Sequence, residues 1–327
     1  MSRVVIFAPS PFLTVTVENH GAGDELHLHA GGQGVWQGRM LRRMGVEVTM
    51  CCALIGEGGT VLGPLLSDEG FTVEAVKVDG NGGGYVHDRR GGERESIVEI
   101  DGSPLDRHTL DELYTLTLRE AVGADAVILS GPAGDETLPA EVYRRLATDL
   151  GAAGCTVIVD LAGERLSAAL EGGVDVVKVS DEELLADGRA SKADDDSIMA
   201  GMRAMAQEGA RSVIVSRSPE PILVLQDGTF HEVHMPEFEA ADTRGAGDSL
   251  TAGVTAAIAR GESLVDAVRL GAAAGALNVT RHGLGTGDAE AIEKLRTLAE
   301  VRPATQETAD AATTMTPGDL AARAEEE

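Results

Sequence analysis

Apolar residues along this chain fall into short runs that alternate with longer stretches of helical period. Such runs occur at residues 3–8, 125–130, 155–160, 174–179 and 211–216. Short apolar runs bounded by turn signals are typical of strands that are buried on both faces. Strands that alternate regularly with helices indicate a parallel sheet covered by helices. The pattern therefore predicts an α/β fold with a three-layer α/β/α core.

Two early segments instead alternate between apolar and polar residues. In residues 12–30, leucine and valine interleave with threonine and histidine, and a second alternating pair lies within residues 82–100. Such alternation indicates a sheet with one solvated face. We expect the two segments to form a small β-sheet lid inserted into a single domain of residues 1–302. Residues 303–327 lack an apolar period, which predicts a disordered acidic tail.

The charge of the chain narrows the classes of function. The formal net charge is −27, which argues against nucleic-acid binding and against docking on an anionic membrane. No stretch approaches the roughly 18 apolar residues of a membrane span. The 3 cysteines are too few for a secreted disulfide framework. We therefore expect a cytoplasmic protein with a small-molecule ligand.

One motif carries most of the chemistry. Residues 241–249 read A-D-T-R-G-A-G-D-S and open a predicted helix. The amides of Gly245, Ala246 and Gly247 would be unsatisfied donors at the helix N-terminus, where small residues let an anion approach. Asp248 would accept the proton of an acceptor hydroxyl, and we expect the helix N-terminus to keep it ionised. A tight glycine loop with an ordinary helix-start aspartate is the alternative at this point.

Residues 242–248, Asp-Thr-x-Gly-Ala-Gly-Asp, resemble the signature of the ribokinase and phosphofructokinase-B family of carbohydrate kinases. Residues 31–34 (GGQG) resemble the family's N-terminal Gly-Gly element, and residues 178–184 resemble its Lys-Pro-Asn-x-x-Glu-Leu segment. The resemblance covers roughly residues 3–299. Two further segments, 129–143 and 157–170, are most similar to the 1-phosphofructokinase and tagatose-6-phosphate kinase subfamily.

The resemblance implies a ribokinase-like fold, a homodimer formed through the lid, and ATP with Mg²⁺ as cofactors. Asp248 would be the catalytic base, and the amides at 245–247 would stabilise charge on the transferred phosphoryl group. Glu183 would help to hold Mg²⁺, and Asp242 would contribute oxygens to a monovalent cation such as K⁺. The implied nucleotide-binding residues are Lys178, Glu183, Ser216, Ser218, Thr243, Asn278 and Gly283, with Asn278 and Gly283 near the adenine.

The acceptor end departs from the family pattern. Thr14 stands where the family has an aspartate that grips sugar hydroxyls, and a Gly82-Gly83 pair replaces a Thr-Arg pair of the lid. A phosphosugar would lose its usual cationic partner, which favours an unphosphorylated or bulky polyol that could stack on Trp36. The candidate acceptor residues are Thr14, Gly31, Gly32, Gln33, Trp36, Arg39, His27 and His29.

Alternatives stay open at this stage. The acceptor could be a phosphosugar whose phosphate is met by rearranged arginines, for which the candidates are Arg39, Arg89, Arg90 and Arg94. Residues 216–221 lack the usual glycines of the nucleotide turn, which keeps open a non-catalytic ligand-binding or regulatory relative. Trp36 could also pack as a core residue at a helix start. A P-loop kinase is excluded because the chain has no Gly-x4-Gly-Lys-Ser/Thr motif.

Overall fold

A computed structural model describes residues 2–304 except 20, 22, 93, 133, 135, 237, 239–242 and 281–283. The strands are β1 Arg3–Phe7, β2 Phe12–Asn19, β3 Asp24–Gly31, β4 Glu47–Ile55, β5 Thr72–Val78, β6 Gly84–Asp88, β7 Glu95–Ile100, β8 Ala126–Ser130, β9 Val157–Asp160, β10 Val174–Ser180, β11 Ala210–Ser216, β12 Ile222–Gln226, β13 Thr229–His234 and β14 Glu300–Pro303.

The helices pack around these strands. They are α1 Gln33–Arg43, α2 Gly56–Asp68, α3 Arg107–Ala121, α4 Glu141–Ala152, α5 Gly163–Gly172, α6 Asp181–Ala186, α7 Asp195–Glu208, α8 Ala246–Ala259, α9 Leu264–Val279 and α10 Ala289–Arg296. Within the residues described above, no helix is long and apolar enough to cross a bilayer.

Ten strands form the central sheet in the order β14-β13-β12-β11-β10-β9-β8-β1-β4-β5. Along this order, neighbouring strands from β11 through β10, β9, β8, β1 and β4 to β5 are parallel. The neighbouring strands β11, β12, β13 and β14 are antiparallel. Two clusters of buried aliphatic side chains cover the two faces of this sheet. The α/β/α prediction is confirmed, and the carboxyl ends of β8, β9 and β10 lie side by side, where α/β sheets bind ligands.

Close helix packing sets the position of α8. A Cβ added to Gly253 of α8 would lie 2.6 Å from Cα of Gly271 in α9, and one added to Gly271 would lie 2.6 Å from the carbonyl oxygen of Leu250. Two helices approach this closely only where side chains are absent. Because the chain has only 3% aromatic residues, small residues rather than large rings build this interface.

The lid is a separate four-stranded sheet in the order β3-β2-β6-β7, as the alternating segments predict. The strand registers place apolar side chains on one face of this sheet and mostly polar side chains on the other. One apolar row runs across the sheet as Leu28, Val15, Val86 and Val98. The two polar rows of the other face are His29, Thr14, Tyr85 and Glu99, and next to them His27, Thr16, His87 and Ser96.

The end of the domain differs from the sequence prediction. Residues 300–303 form β14, which pairs with β13 at the edge of the central sheet, so Pro303 belongs to the folded domain rather than to the tail. The short strand Glu-Val-Arg-Pro carries a single aliphatic residue and shows no period that would reveal it. The prediction of a disordered tail falls, from residue 305 onwards, outside the described residues.

Candidate active site

The N-terminus of α8 lies at the carboxyl ends of the parallel strands, against Lys178 and Asp160. Gly245 is its N-cap, with a φ of 72° in the left-handed region, which favours glycine. A Cβ at this position would lie 3.1 Å from Cδ2 of Leu284. Ala246 and Gly247 follow in the first turn, whose amides have no intrahelical acceptor. The local geometry therefore has the small residues and the first-turn amides that the predicted anion cradle requires.

Asn278 of α9 holds the loop that leads into this cradle. Its Nδ2 donates to the carbonyl oxygen of Arg244 at 2.7 Å, and its Oδ1 accepts from the amide of Gly285 at 3.1 Å. The side chain is only 1% exposed. Both ends of its amide are committed to backbone groups, so Asn278 positions this loop, and its place near the adenine stays a prediction. Gly283, predicted for the same pocket, lies outside the described residues.

Lys178 projects from β10 to the first turn of α8. Its Nζ lies 3.2 Å from Oδ1 of Asp160, and both side chains are nearly inaccessible to water. A Cβ added to Gly247 would lie 2.7 Å from this Nζ, so the ammonium group sits directly against the cradle. Burial lowers the pKa of Lys178, but the neighbouring Asp160, Glu183 and Asp248 outweigh it and raise the pKa. The lysine is thus a fixed positive charge beneath the first turn of α8.

Asp160 holds that lysine through a buried polar network. Its Oδ2 accepts from the hydroxyl of Thr251 at 2.7 Å and from Nε2 of Gln37 at 3.0 Å. Oε1 of Gln37 in turn accepts from the hydroxyl of Ser130 at 2.5 Å. Hydrogen bonds that satisfy every partner are what a buried carboxylate requires. The network joins the ends of β8, β9 and β10 to α1 and α8.

The ionisation state of Asp248 differs from the sequence expectation. Its carboxyl is half-buried in the first turn of α8, between the cradle and the acidic groups of the strand ends. Burial and the nearby Asp160 and Glu183 raise the pKa of Asp248 from 3.8 to about 8, although Lys178 lowers it. The helix N-terminus does not keep this carboxyl at an ordinary or lowered pKa, because two like charges and desolvation act against it.

Glu183 closes a capping box at the start of α6. Its Oε2 accepts from the amide of Ser180 at 2.7 Å and from the Ser180 hydroxyl at 2.8 Å, while its own amide donates to that hydroxyl. Ser216 of β11 pairs directly with Ser180 of β10. Ser216 is half-buried, and Ser218 and Thr243 are exposed. The predicted nucleotide residues of β11 therefore lie next to the predicted magnesium carboxylate.

Three carboxylates near the N-terminus of α8 could serve a bound Mg²⁺. Asp160, Glu183 and Asp248 lie close enough to influence one another electrostatically, and Lys178 is the positive charge that acts on all three. Among the described residues, no group of three metal-ligating side chains converges on a point. This excess of negative charge suits Mg²⁺, which proteins hold with one or two carboxylates, water and substrate phosphates. Asp242, predicted for a monovalent cation, lies outside the described residues.

An aromatic wall lies between the lid and α1. The ring of Phe12 makes edge contacts with Trp36 at 6.0 Å and with Tyr85 at 4.4 Å between centroids. Trp36 is half-buried at the start of α1, so it is not a fully enclosed core residue. Gly31 lies against this wall, because an added Cβ would be 2.6 Å from Cε2 of Phe12.

Gly32, Gln33 and Thr14 complete the predicted acceptor end. Gly32 precedes α1 with a φ of 115°, a conformation that other residues rarely adopt. Oε1 of Gln33 accepts from the amide of Gly131 at 2.6 Å, which fastens the start of α1 to the end of β8. Thr14 is 7% exposed, and its Oγ1 would lie 2.7 Å from a Cβ at Gly31. The structure therefore brings the predicted glycines, Thr14 and Gln33 together.

Arg39 of α1 is bound to the base of the lid. Its guanidinium forms a double contact with Glu69, at 2.6 Å and 2.5 Å, and donates to the carbonyl oxygens of Leu284 and Ala30 at 2.7 Å and 3.1 Å. These contacts attach the base of the lid to α1, and a part of Arg39 in acceptor binding stays a prediction. His27 and His29 do share one lid face, with stacked rings 6.1 Å apart, as alternation predicts.

The glycines at the lid base have a structural reason. A Cβ added to Gly82 would lie 2.9 Å from the carbonyl oxygen of Ile55, and one added to Gly83 would lie 3.2 Å from the amide of Gly102. An arginine at this place would need the backbone to move. Of the other arginines, Arg90 is paired with Asp88 and Asp24.

Several residues of the site were missed by the sequence reasoning. Asp160 ends an apolar run at the carboxyl edge of the sheet, a position that points to ligand chemistry and could have revealed it. Gln37, Ser130 and Thr251 carry no sequence signal, because their partners come from distant segments.

Comparisons with known proteins agree with this geometry. A family model described as "pfkB family carbohydrate kinase" matches residues 5–291. The chain is 30% identical over 261 residues to the ATP-dependent 6-phosphofructokinase isozyme 2 of Escherichia coli, covering 77% of this chain and 82% of that protein. It is 26% identical over 260 residues to the 1-phosphofructokinase of Bacillus subtilis, covering 79% and 84% of the two chains.

Solved structures of sugar kinases superpose on most of this chain. Phosphofructokinase-2 of Escherichia coli in complex with potassium superposes with a TM-score of 0.79 at 26% identity, covering 91% of this chain and 99% of that one. A tetrameric inhibited form of that enzyme superposes at 0.78. Ribokinase of Arabidopsis thaliana, with a TM-score of 0.70 at 19% identity, covers 90% and 99% of the two chains and shares the fold. The chain belongs to the pfkB family of carbohydrate kinases and is an ATP-dependent phosphotransferase with a ribokinase-like fold.

Proposed function

We propose that Asp248 is the base with which this enzyme phosphorylates a hydroxyl group of a small sugar, sugar phosphate or sugar-like polyol. The observation that carries the proposal is the first turn of α8. It brings the small-residue cradle, the buried Lys178 ammonium and the Asp248 carboxyl to one point at the carboxyl edge of the sheet. Phosphoryl transfer needs this combination of charge stabilisation and a positioned proton acceptor.

Each group has a distinct task in this proposal. The amides of Ala246 and Gly247 donate to the oxygens of the transferred phosphoryl group, whose negative charge Lys178 also offsets. Asp248 orients the acceptor hydroxyl and takes its proton as the oxygen attacks in line. A pKa of about 8 makes Asp248 a stronger base than an ordinary carboxylate. The lid and the aromatic wall around Phe12 exclude water that would otherwise compete as the acceptor.

Cations complete the site. Mg²⁺ would supply positive charge to the nucleotide phosphates when bound. We propose that Glu183 holds it largely through water, because one oxygen of its carboxylate is already engaged by Ser180. A monovalent cation near Asp242 stays a proposal that rests on the family resemblance and on the potassium complex of the Escherichia coli relative.

ADP release from a panel of polyols, hexoses and phosphosugars tests this function. We expect turnover with at least one acceptor, and near-complete loss of turnover in Asp248→Asn with ATP binding largely kept. Glu171→Gln, which removes an exposed carboxylate of α5, is the matched control and should keep full activity. Near-wild-type turnover of Asp248→Asn would refute the base assignment. ATP binding without turnover on any acceptor would favour the non-catalytic alternative.

We also propose that the enzyme forms a homodimer through the apolar face of the lid. The exposed fractions of Leu26, Leu28, Val98 and Ile100 on its two outer strands are 64%, 43%, 40% and 52%. A contiguous apolar surface of this kind marks an interface, and an isologous contact with a second copy would cover it on both chains.

Sedimentation equilibrium tests the dimer. The double variant Leu26→Glu, Leu28→Glu should sediment as a monomer, whereas Leu298→Glu, at an equally exposed leucine outside the lid, should not change the mass. A wild-type monomer at micromolar concentration would refute the proposal.

The use of ATP and the three free, buried thiols are in keeping with a cytoplasmic location.

A further inference from the structure

Gln37 of α1 is a buried amide on the inner side of its helix. Its side chain is 0% exposed, and the other buried residues of α1, among them Val35, Met40 and Leu41, are apolar or glycine. A buried polar group costs free energy unless it is hydrogen-bonded, and an apolar side chain of the same shape would avoid that cost. The amide therefore needs a reason that packing alone does not supply.

The partners of Gln37 fix the direction in which its amide points. Asp160 faces the Lys178 ammonium group, which has donors only, so the carboxyl group of Asp160 accepts. Nε2 of Gln37 therefore lies on the Asp160 side, where it donates to Oδ2 at 3.0 Å. Oε1 accepts from the Ser130 hydroxyl at 2.5 Å, and the carbonyl oxygen of Ser130 accepts from the hydroxyl of Tyr143 at 2.8 Å. Ser130 is thus held on both sides and fixes the orientation of the glutamine amide.

Two donors hold one oxygen of Asp160, and they differ in how firmly they do so. Thr251 donates to Oδ2 at 2.7 Å, but its hydroxyl also lies 3.1 Å from the carbonyl oxygen of Gly247, one turn earlier in α8. A hydroxyl has a single proton and can turn from one acceptor to the other. Nε2 of Gln37 therefore keeps Oδ2 in place, which leaves Oδ1 directed at Nζ of Lys178, 3.2 Å away.

Helix α1 also joins the acceptor end to these charges. Gln33, one turn before Gln37, accepts from the amide of Gly131 at 2.6 Å, so two glutamines of one helix attach α1 to the end of β8. Trp36 of the aromatic wall lies between them in sequence. One helix therefore carries part of the acceptor end and also the amide that holds the carboxyl group of β9, which fixes the separation between the two.

We propose that Gln37 is a positioning residue for phosphoryl transfer, which through Asp160 keeps the Lys178 ammonium group against the first turn of α8. The inference rests on the proposed function, in which Lys178 offsets charge on the transferred phosphoryl group. That group moves towards the acceptor during the reaction, so a displaced ammonium group costs most in the transition state. Loss of the amide should therefore lower kcat and leave KM for ATP nearly unchanged.

Gln37→Met tests this role in the whole chain. Methionine has a similar length and volume but makes no strong hydrogen bond. We expect kcat to fall at least about tenfold, the size of one hydrogen bond to a charged group, while KM for ATP stays within about threefold of wild type. A smaller loss of kcat, or a KM for ATP outside that range, would overturn the proposal.

Thr117→Val is the matched control for the loss of a buried hydrogen bond. The Thr117 hydroxyl of α3 is buried and donates to the carbonyl oxygen of Leu113 at 2.8 Å, within its own helix. The variant should lower the Tm and keep kcat within about twofold of wild type. If Thr117→Val loses as much kcat as Gln37→Met, the loss follows stability rather than position, and the proposal is wrong.

Ser130→Ala is a second variant, which leaves Gln37 in place. Without the Ser130 hydroxyl the amide is less firmly oriented, so we expect kcat to fall by about threefold or more. Added to Gln37→Met, it should cause little further loss, because Ser130 acts through the amide. A smaller loss in Ser130→Ala, or losses that multiply in the double variant, would contradict the positioning role. The first of these results decides even if Gln37→Met does not fold.

A binding measurement separates this inference from the proposed function. If the wild type phosphorylates no acceptor, the proposed function is wrong. Aluminium fluoride added to ADP and Mg²⁺ mimics the transferred phosphoryl group and reports on Lys178 without turnover. The increase in Tm that aluminium fluoride adds should be smaller in Gln37→Met than in the wild type, with equal stabilisation of both proteins by ADP and Mg²⁺ alone. An equal increase in both proteins, or none in either, would refute the positioning role.

Discussion

Replacement of Asp248 by asparagine should stabilise the ligand-free protein while it abolishes turnover. Burial and two neighbouring carboxylates disfavour the charged form of Asp248 and raise its pKa from 3.8 to about 8. Asparagine has nearly the same shape and carries no charge. The substitution therefore removes an unfavourable charge without opening a cavity in the first turn of α8.

The magnitude and its pH dependence follow from linkage. In the unfolded chain Asp248 loses its proton near pH 4, whereas in the folded protein it keeps the proton until about pH 8. Folding stability therefore falls as the pH rises through this window and levels off above it. A pKa difference of this size corresponds to at most roughly 6 kcal/mol. Solvent screening of this half-buried residue reduces it, and we expect about 2 kcal/mol, or about 3 °C in Tm for a domain of this size.

Differential scanning calorimetry between about pH 5 and pH 9 without nucleotide is the assay. The Tm of Asp248→Asn minus that of the wild type should be small at pH 5, grow with pH and reach a plateau above pH 8. Glu171→Gln corrects for general effects of removing one negative charge. A Tm difference that stays constant over this range, or an Asp248→Asn protein that is less stable at pH 9, would refute the reasoning.

Three further predictions concern the site and the surface. Gly247→Ala should lower kcat about tenfold or more with little change in Tm, because alanine favours the helix but its Cβ would lie 2.7 Å from Nζ of Lys178; a kcat within a factor of two of wild type would contradict this. Lys178→Met should lower the free energy of unfolding in urea by about 3–5 kcal/mol, because it leaves the buried Asp160 without its cation. Adding Asp160→Asn to this variant should restore most of the lost stability. If it restores none, the broken ion pair is not the cause. Raising the ionic strength from about 0.05 to about 0.5 M should raise the Tm, since salt screens the self-repulsion of a chain with a net charge of −27; a lower Tm would count against this.

The fold could be predicted from the sequence because its signals are local. The apolar runs around β8 and β10 and the alternation of β2 with β3 are periodic within a few residues. The start of α8 could be predicted for the same reason, since Gly245 and Gly247 mark a turn and a close approach. By contrast, β14 is held only by its pairing with β13. Its four residues have no periodicity of their own.

The network around Asp160 could not be predicted because it depends on contacts between distant segments. Gln37 and Asp160 are 123 residues apart in sequence, and Ser130 and Gln37 are 93 apart. A buried glutamine on α1 looks like an error in an apolar pattern until its partners are known. The pKa of Asp248 was misjudged for the same reason. The helix N-terminus is visible in the sequence, whereas the like charges of Asp160 and Glu183 are brought close only by the sheet.

The crowding of carboxylates at the strand ends has a consequence for ligand binding. Asp160, Glu183 and Asp248 crowd around the single positive charge of Lys178, and repulsion between the carboxylates helps to keep Asp248 protonated at neutral pH in the ligand-free site. Bound Mg²⁺ would relieve this repulsion, whereas nucleotide alone adds phosphate charge to it. ATP and Mg²⁺ together should therefore raise the Tm by more than the sum of their separate effects. Each ligand lowers the electrostatic cost of binding the other. Additive stabilisation in thermal unfolding would show that the three carboxylates are not electrostatically coupled to the nucleotide.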